Sequence, residues 1–134
     1  RQENHMAVSG MNHFTILTDI LDATLEFYKA HLDFAPGPRP PFKFPGAWLY
    51  AKGGSEAILH VIAGREKKDL VKGVLDHMAF TAQDLAGSVA KLKTHGIDYE
   101  LRKLPDYGTW QLFFMDPNNA KVELDFDPEE AAPA

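Results

Sequence analysis

Two short stretches of the chain alternate apolar and polar side chains. Residues 11–18 (MNHFTILT) and residues 75–82 (LDHMAFTA) both place apolar side chains at every second position. Alternation with a period of two is typical of a strand with one buried face and one exposed face. The pattern therefore predicts an equivalent strand at each of the two places.

Each predicted strand is followed by apolar residues at the three- and four-residue spacing of an amphipathic helix. After the first strand and then the second, these residues are Leu21, Leu25, Tyr28 and Leu32, and then Leu85, Val89 and Leu92. Asp84 is a good N-cap for the second helix, and Gly96 is a good helix end. The sequence thus predicts a strand followed by a helix in each half of the chain.

The two halves are copies of one pattern. When the halves are aligned, His13 falls on His77 and His60 falls on Glu123. Internal similarity over about 55 residues indicates two related modules rather than a short-period solenoid. A proline-rich loop, a Gly-Gly turn and an Asp-Pro turn then divide the rest of each copy into two or three further strands.

The predicted fold class is α+β, in one domain that spans residues 11–127. Its two modules are residues 11–63 and residues 75–127. Residues 1–10 are expected to be a cloning remnant or a flexible N-terminus, and residues 128–134 a flexible tail.

The alignment of the two copies also pairs Trp48 with Trp110, because a glycine stands two positions before each tryptophan.

Composition removes several classes of function. The 134 residues carry a net charge of −5 with scattered lysine and arginine, which argues against a nucleic-acid partner. No apolar stretch is long enough to span a bilayer, so no membrane partner is expected. The chain contains no cysteine, which excludes disulfides, thiolate catalysis and cysteine-ligated metals and is compatible with a cytoplasmic location.

Four metal-binding residue types fall on equivalent predicted strands. Val122 and Leu124 should face the helix, so Glu123 should face the opposite side, which we call the open face. The same alternation places three histidines on open faces, namely His13, His60 and His77. Imidazole and carboxylate ligate zinc, nickel, manganese and ferrous iron, so one divalent ion of unknown identity is the predicted cofactor. The alternative is that each is an ordinary, partly buried strand residue.

The segments that open and close the two copies resemble those of a known superfamily. NHFTI and DHMAF open them, AILHVI and KVELDF close them, and GTWQLFFMDPNNAKVELDF is the most specific stretch. They resemble the vicinal oxygen chelate superfamily, which includes glyoxalases, bleomycin resistance proteins and extradiol dioxygenases. The resemblance implies tandem βαβββ modules whose curved mixed sheets surround a metal-binding cup. It also implies His13, His77 and Glu123 as ligands, with His60 at a fourth position where glyoxalase I often has glutamate.

The resemblance implies three functions. The first is a metal-dependent, glyoxalase-like isomerase or lyase that chelates two adjacent substrate oxygens and stabilises an enediolate, with His60 and Glu123 as catalytic residues. The second is a ring-cleaving extradiol dioxygenase that uses ferrous iron, with His60 as the acid or base. The third is a metal-free small-molecule binding protein of the bleomycin-resistance type. In the enzyme interpretations, His60 is either a metal ligand or a proton-transfer group.

The predicted substrate is a small aromatic or acyl compound with an anionic end. The candidate contacts are aromatic and polar residues from two loops and the strands beside them: Arg39, Phe42, Trp48, Tyr107, Trp110 and Gln111. The resemblance also implies a homodimer, which is the expected state for superfamily members of this size. Two modules leave open strand edges that could pair with another chain. In some relatives the cup combines modules of two chains, and both pairings remain possible at this point.

Overall fold

The computed structural model describes residues 10–134, apart from the side chain of Asp69. In chain order the elements are β1 (Phe14–Leu17), α1 (Leu21–Leu32), β2 (Ala35–Pro36), β3 (Gly46–Tyr50), β4 (Ala57–Ile62), a 3₁₀ turn (Lys67–Asp69), β5 (Met78–Thr81), α2 (Leu85–Thr94), β6 (Tyr99–Lys103), β7 (Trp110–Met115) and β8 (Lys121–Phe126). The prediction for residues 1–10 lies outside the described residues except at Gly10. Within residues 10–134, no helix is long and apolar enough to cross a membrane.

The strands form two four-stranded mixed sheets with the same topology. The strand orders are β1-β4-β3-β2 and β5-β8-β7-β6. In each sheet the first strand of the module runs parallel to its last strand, and the remaining pairs are antiparallel. These sheets and their two helices confirm the predicted α+β fold with two βαβββ modules. Both opening strands are shorter than predicted, so His13 and His77 each lie immediately before a strand.

Strand register confirms one predicted equivalence and corrects another. His60 is paired with Thr15 and Glu123 with Ala79, at matching positions of the two parallel strand pairs. The prediction that Trp48 corresponds to Trp110 is wrong. Trp48 pairs with His60, whereas the residue that pairs with Glu123 is Phe113. The loops that precede the two strands differ in length, so matching the Gly-x-Trp letters put the two strands out of register.

Local sequence accounts for the ends of the helices. The Asp84 side chain accepts a hydrogen bond from the Gly87 backbone N–H at 3.0 Å, as expected of an N-cap. Gly87 suits this place because a Cβ there would lie 2.2 Å from the Asp84 carboxylate. Gly96 follows the helix with φ +65°, the left-handed conformation that ends helices. Both predicted helix boundaries are confirmed.

The helix-facing sides of the two sheets share one hydrophobic core. Its most buried members come from both modules: Tyr28, Leu49, Leu59, Val61, Leu85, Leu92, Leu112, Val122 and Phe126. Helix α1 reaches the second module, where the Tyr28 hydroxyl donates to Asp116 Oδ2 at 2.7 Å. Because both helix-facing sides contribute to one core, the open faces of the two sheets point away from it.

The two helices also bring equivalent histidines together. His95 Nδ1 lies 3.0 Å from His31 Nε2, although the two residues are far apart in the chain. The pKa of His31 is lowered to about 4, first by burial and then by the positive charges of His95 and Lys91. This pair belongs to the junction between modules rather than to an open face, as expected for histidines near the ends of two helices.

The C-terminal segment, expected to be a flexible tail, has partners in the structure. The Glu130 carboxylate accepts hydrogen bonds from the backbone N–H groups of Leu85 at 2.7 Å and Asp84 at 3.2 Å. It lies at the N-terminus of α2, where a negative charge is favourable. The Glu130 carbonyl in turn accepts a hydrogen bond from Trp110 Nε1 at 2.9 Å.

Candidate functional site

The second module contains a preformed pair of potential metal ligands. His77 Nε2 lies 3.0 Å from Glu123 Oε1. Glu123 is 5% exposed, and its other oxygen accepts a hydrogen bond from Gln111 Nε2 at 3.1 Å. Since two ligand atoms that each lie about 2.0–2.2 Å from one ion stand roughly 3 Å apart, this separation suits a shared ion. Gln111 holds the carboxylate in place from the neighbouring strand.

A second carboxyl group lies beside Glu123 on the same open face. The pKa of Asp125 is raised to about 6, first by burial and then by the hydrogen bond and negative charge of Glu123. Asp125 Oδ1 is buried and has no hydrogen-bond partner among the described residues. Asp125 was not among the predicted site residues, although its position two residues after Glu123 in KVELDF gives it the same face.

The first module presents a stack of three rings on its open face. The ring centroids of His13 and His60 are 3.7 Å apart, those of His60 and Trp48 are 4.1 Å apart, and each pair is inclined by 13°. His60 Nε2 lies 3.1 Å from the backbone carbonyl oxygen of Ala57. Burial, followed by the positive charge of His13, lowers the pKa of His60.

Two predicted substrate contacts, Arg39 and Phe42, adjoin this stack, and a third, Trp48, is part of it. The Arg39 guanidinium lies 4.9 Å from the centre of the Phe42 ring, and the Phe42 ring lies 6.3 Å from that of Trp48. Arg39 Nη2 donates to the Phe44 carbonyl at 3.0 Å, while its buried Nε has no partner among the described residues. Gly46 allows β3 to approach β4, since a Cβ there would lie 2.2 Å from the Val61 carbonyl oxygen, and it also lies beside the guanidinium, with Arg39 Nη2 3.1 Å from the same Cβ position.

Two other predicted contacts lie apart from these groups. Trp110 occupies the helix-facing side of β7, where it packs against the shared core, whereas its neighbour Gln111 occupies the open face. Tyr107 lies in the turn before β7 and is 81% exposed. Phe113, rather than Trp110, is the aromatic residue of β7 on the open face, where the centroids of its ring and the His77 ring are 6.0 Å apart.

The residues that precede the two opening histidines were also missed. Asn12 Oδ1 lies 2.7 Å from His13 Nδ1, and Asp76 Oδ2 lies 2.9 Å from His77 Nδ1. The available signal was the repeat itself, because the alignment that places His13 on His77 also places Asn12 on Asp76.

The two halves of the predicted metal site do not come together within the described part of the chain. Throughout residues 10–134, with the Asp69 side chain set aside, no three histidine, aspartate or glutamate side chains lie close enough to hold one ion. His13 and His60 form one cluster, and His77 and Glu123 form the other. Each half presents nitrogen or oxygen donors that suit a divalent ion, and neither half is a complete ligand set.

Sequence comparison identifies relatives along most of the chain. The sequence profile of the Glyoxalase/Bleomycin resistance protein/Dioxygenase superfamily matches residues 10–124. Glyoxylase I 4 from Arabidopsis thaliana is 31% identical over 130 residues, which cover 90% of this chain and 72% of that protein.

Solved structures support the same assignment at the level of the fold. The chain is similar to a glyoxylase/bleomycin resistance protein/dioxygenase domain from Frankia sp. EAN1pec, with a TM-score of 0.70, 22% identity, and coverage of 90% of this chain and 99% of that one. It is also similar to a mutant of the fosfomycin resistance protein FosX from Listeria monocytogenes, in complex with Mn(II) and 1S,2S-dihydroxypropylphosphonic acid. That match has a TM-score of 0.72 and 17% identity, and it covers 90% of this chain and 94% of FosX. The chain therefore belongs to the glyoxalase/bleomycin resistance protein/dioxygenase superfamily, and its relatives indicate an enzyme of that superfamily.

Proposed function

We propose that the protein is a divalent-metal-dependent enzyme of the glyoxalase type, and that its active site forms between two copies of the chain. One copy would supply His13 and His60, and the other would supply His77 and Glu123. The observation that carries this proposal is the division of the ligand set into two incomplete halves on equivalent strands. A second copy related by twofold symmetry would complete two identical sites at once.

The surface of the chain supports a homodimer. Strand β1 lies at the edge of its sheet, and an open strand edge favours pairing with another chain. Beside it is a groove of about 330 Å³, lined by β1, the linker around residues 70–75 and the start of β5. The linker exposes Val71, Val74 and Leu75 by 81%, 102% and 72%. Burial of this apolar surface would favour association.

The ring stack distinguishes the roles of the two first-module histidines. An imidazole nitrogen binds a metal along its lone pair, which lies in the plane of the ring. The rings of His13 and His60 are nearly parallel and 3.7 Å apart, so one ion cannot lie in both planes. At most one of these two histidines can therefore bind the ion. The resemblance to the superfamily implies His13, so we assign His13, with His77 and Glu123, to the metal, and His60 to proton transfer.

The hydrogen bond of His60 is compatible with that role. The Ala57 carbonyl only accepts hydrogen bonds, so His60 Nε2 must carry a proton to donate to it. In the neutral ring, Nδ1 is then the bare nitrogen that can accept a proton from a substrate. Stacking against Trp48 fixes the plane of the imidazole, which would orient Nδ1 before the substrate binds.

A bound divalent ion would hold two adjacent oxygens of a small substrate and stabilise the negative charge that develops on them. Mn(II) in the structure of the FosX relative supports an ion of this kind. On this chain, Gln111 would keep Glu123 oriented. The Arg39 guanidinium, beside two phenyl rings, would bind an anionic group of a small planar substrate.

The proposal is tested by metal analysis followed by a substrate panel. Protein purified without added metal or chelator should contain one divalent ion per chain. Thiohemiacetals of 2-oxoaldehydes should be isomerised, and the activity should disappear on treatment with chelator. Ring cleavage of catechols with ferrous iron would instead indicate the dioxygenase. Ligand binding without metal or turnover would indicate the binding protein.

The cytoplasmic location expected from sequence stays a prediction.

A further inference from the structure

The residues before the two opening histidines occupy equivalent positions and make equivalent contacts. Asn12 Oδ1 lies 2.7 Å from His13 Nδ1, and Asp76 Oδ2 lies 2.9 Å from His77 Nδ1. Both contacts use the same ring nitrogen, and both acceptors come from the residue immediately before the histidine. The repeat therefore preserves an acceptor at Nδ1 as well as the imidazole itself.

An acceptor at Nδ1 determines which nitrogen can bind a metal. When Nδ1–H donates to Asp76, the other nitrogen of His77, Nε2, is the one left for coordination. Nε2 is also the atom that lies 3.0 Å from Glu123 Oε1. The contact with Asp76 thus directs the correct atom of His77 toward the second ligand of the same module.

The two acceptors differ in chemistry and in surroundings. Asp76 carries a carboxylate, and Lys72 Nζ and Lys121 Nζ lie 3.4 Å and 3.7 Å from it. Asn12 carries a neutral amide at the equivalent place. A carboxylate hydrogen-bonded to the outer nitrogen of a ligating histidine orients the ring and makes it a stronger donor to the metal.

We propose that Asp76 is a positioning residue that orients His77 for metal binding, and that Asn12 is its weaker counterpart for His13. This inference rests on the proposed function, because it assigns a role around the metal ligands. The Asp76 side chain is 59% exposed, and the two lysines beside it favour its charged form. Within the shared site, the ligands of the second module would therefore contribute more to metal affinity than His13 does.

The test is a calorimetric titration with Zn²⁺ of wild type, Asp76→Ala, Asp76→Asn and Asn12→Ala. Asp76→Ala should weaken Zn²⁺ binding about 10–100-fold, the range for loss of an outer partner of a ligating histidine. Asp76→Asn retains an oxygen acceptor and should recover part of the affinity. Asn12→Ala should have a smaller effect than Asp76→Ala. The control Asp98→Ala removes an exposed aspartate of the same module and should leave the affinity unchanged.

A spectroscopic measurement separates positioning from a general structural effect. In the Zn²⁺-loaded wild type, the His77 Nδ1–H should give a proton NMR signal that is protected from exchange with water. The signal should be lost in Asp76→Ala and retained in Asp98→Ala. Equal affinity and an unchanged signal in Asp76→Ala would overturn the inference while leaving the metal site intact. Failure of the folded wild type to bind Zn²⁺, Mn²⁺ or Ni²⁺ would instead overturn the proposed function.

Discussion

The open faces of the two modules share one backbone arrangement and differ in their chemistry. In the first module the open face carries a stack of aromatic rings, in which His60 lies between His13 and Trp48. In the second module, the position equivalent to His60 is Glu123, which is paired with His77. Equivalent strand positions therefore carry different chemistry, an imidazole in the first module and a carboxylate in the second.

The largest difference between the modules should appear on removal of the carboxylate. Glu123→Gln removes the only negative charge assigned to the ligand set, so metal affinity should fall about a thousandfold or more, beyond the 10–100-fold cost of losing an outer partner. Calorimetric titration with Zn²⁺ or Mn²⁺ measures the loss. The control Glu26→Gln changes an exposed glutamate on α1 and should bind as wild type. Wild-type affinity in Glu123→Gln would remove Glu123 from the site.

The matching substitution in the first module should separate activity from metal binding. His60→Ala should keep its metal affinity within about threefold, because the ring stack lets only one of the two histidines bind the ion and the proposal assigns that ligand to His13. Turnover should fall about 10²–10⁴-fold, the usual effect of removing a general acid or base. Parallel measurement of metal content and turnover provides the check. Loss of metal from His60→Ala in proportion to activity would make it a ligand after all.

The junction that keeps the open faces apart depends on a buried hydrogen bond. Tyr28→Phe removes the donor to Asp116 Oδ2, and Asp116 is 4% exposed. An unsatisfied buried acceptor costs about 1–3 kcal/mol, so the free energy of unfolding should fall by that amount. Chemical denaturation measures it, with Tyr107→Phe at an exposed tyrosine as the control. Equal stability of the two variants would show that this contact does not hold the modules together.

The last prediction concerns His31 and His95, the equivalent histidines that face each other between the two helices. The pKa of His31 is lowered from its ordinary value of 6.5 to about 4 in the folded chain, so the unfolded chain binds a proton more readily between these values. Stability should therefore be lost as the pH falls from about 6.5 to 4. His31→Gln should lose less stability across this window. Melting temperatures of both proteins, measured in chelator, give the comparison, and identical pH dependence would contradict it.

Hydrophobic periodicity was sufficient to predict the modules and the open faces. Val122, Leu124 and Phe126 stand at every second position of β8 and are buried. The sequence alone therefore predicts that Glu123, which lies between them, occupies the other face of the strand. The N-cap at Asp84 could also be predicted, because it depends only on residues within the same helical turn. The pairing of Trp48 with His60 was not, because it depends on loop lengths and strand register. Alignment of residue types between the two copies does not detect a shift in strand register, whereas the pairing of residues on neighbouring strands defines the register directly.

The relative placement of the two modules could not be predicted from local patterns. It depends on contacts between residues far apart in the chain, such as that of Tyr28 with Asp116 and that of Thr18 with Asn118. The sequence therefore indicated four candidate metal ligands on equivalent strands but left open whether one chain could bring them together. The contacts of Glu130 with α2 are equally long-range and give partners to a segment that composition alone predicted to be flexible.

The most direct test of a site between two chains is complementation of two inactive variants. His13→Ala removes a ligand from the first module and Glu123→Ala removes one from the second, so neither homodimer should bind metal tightly. After subunit exchange, each mixed dimer should contain one site with all its ligands, and about a quarter of the wild-type metal content should return with random pairing. Calorimetry of the mixture measures it. Recovery would support a site shared between chains, and no recovery in a verified mixed dimer would contradict it.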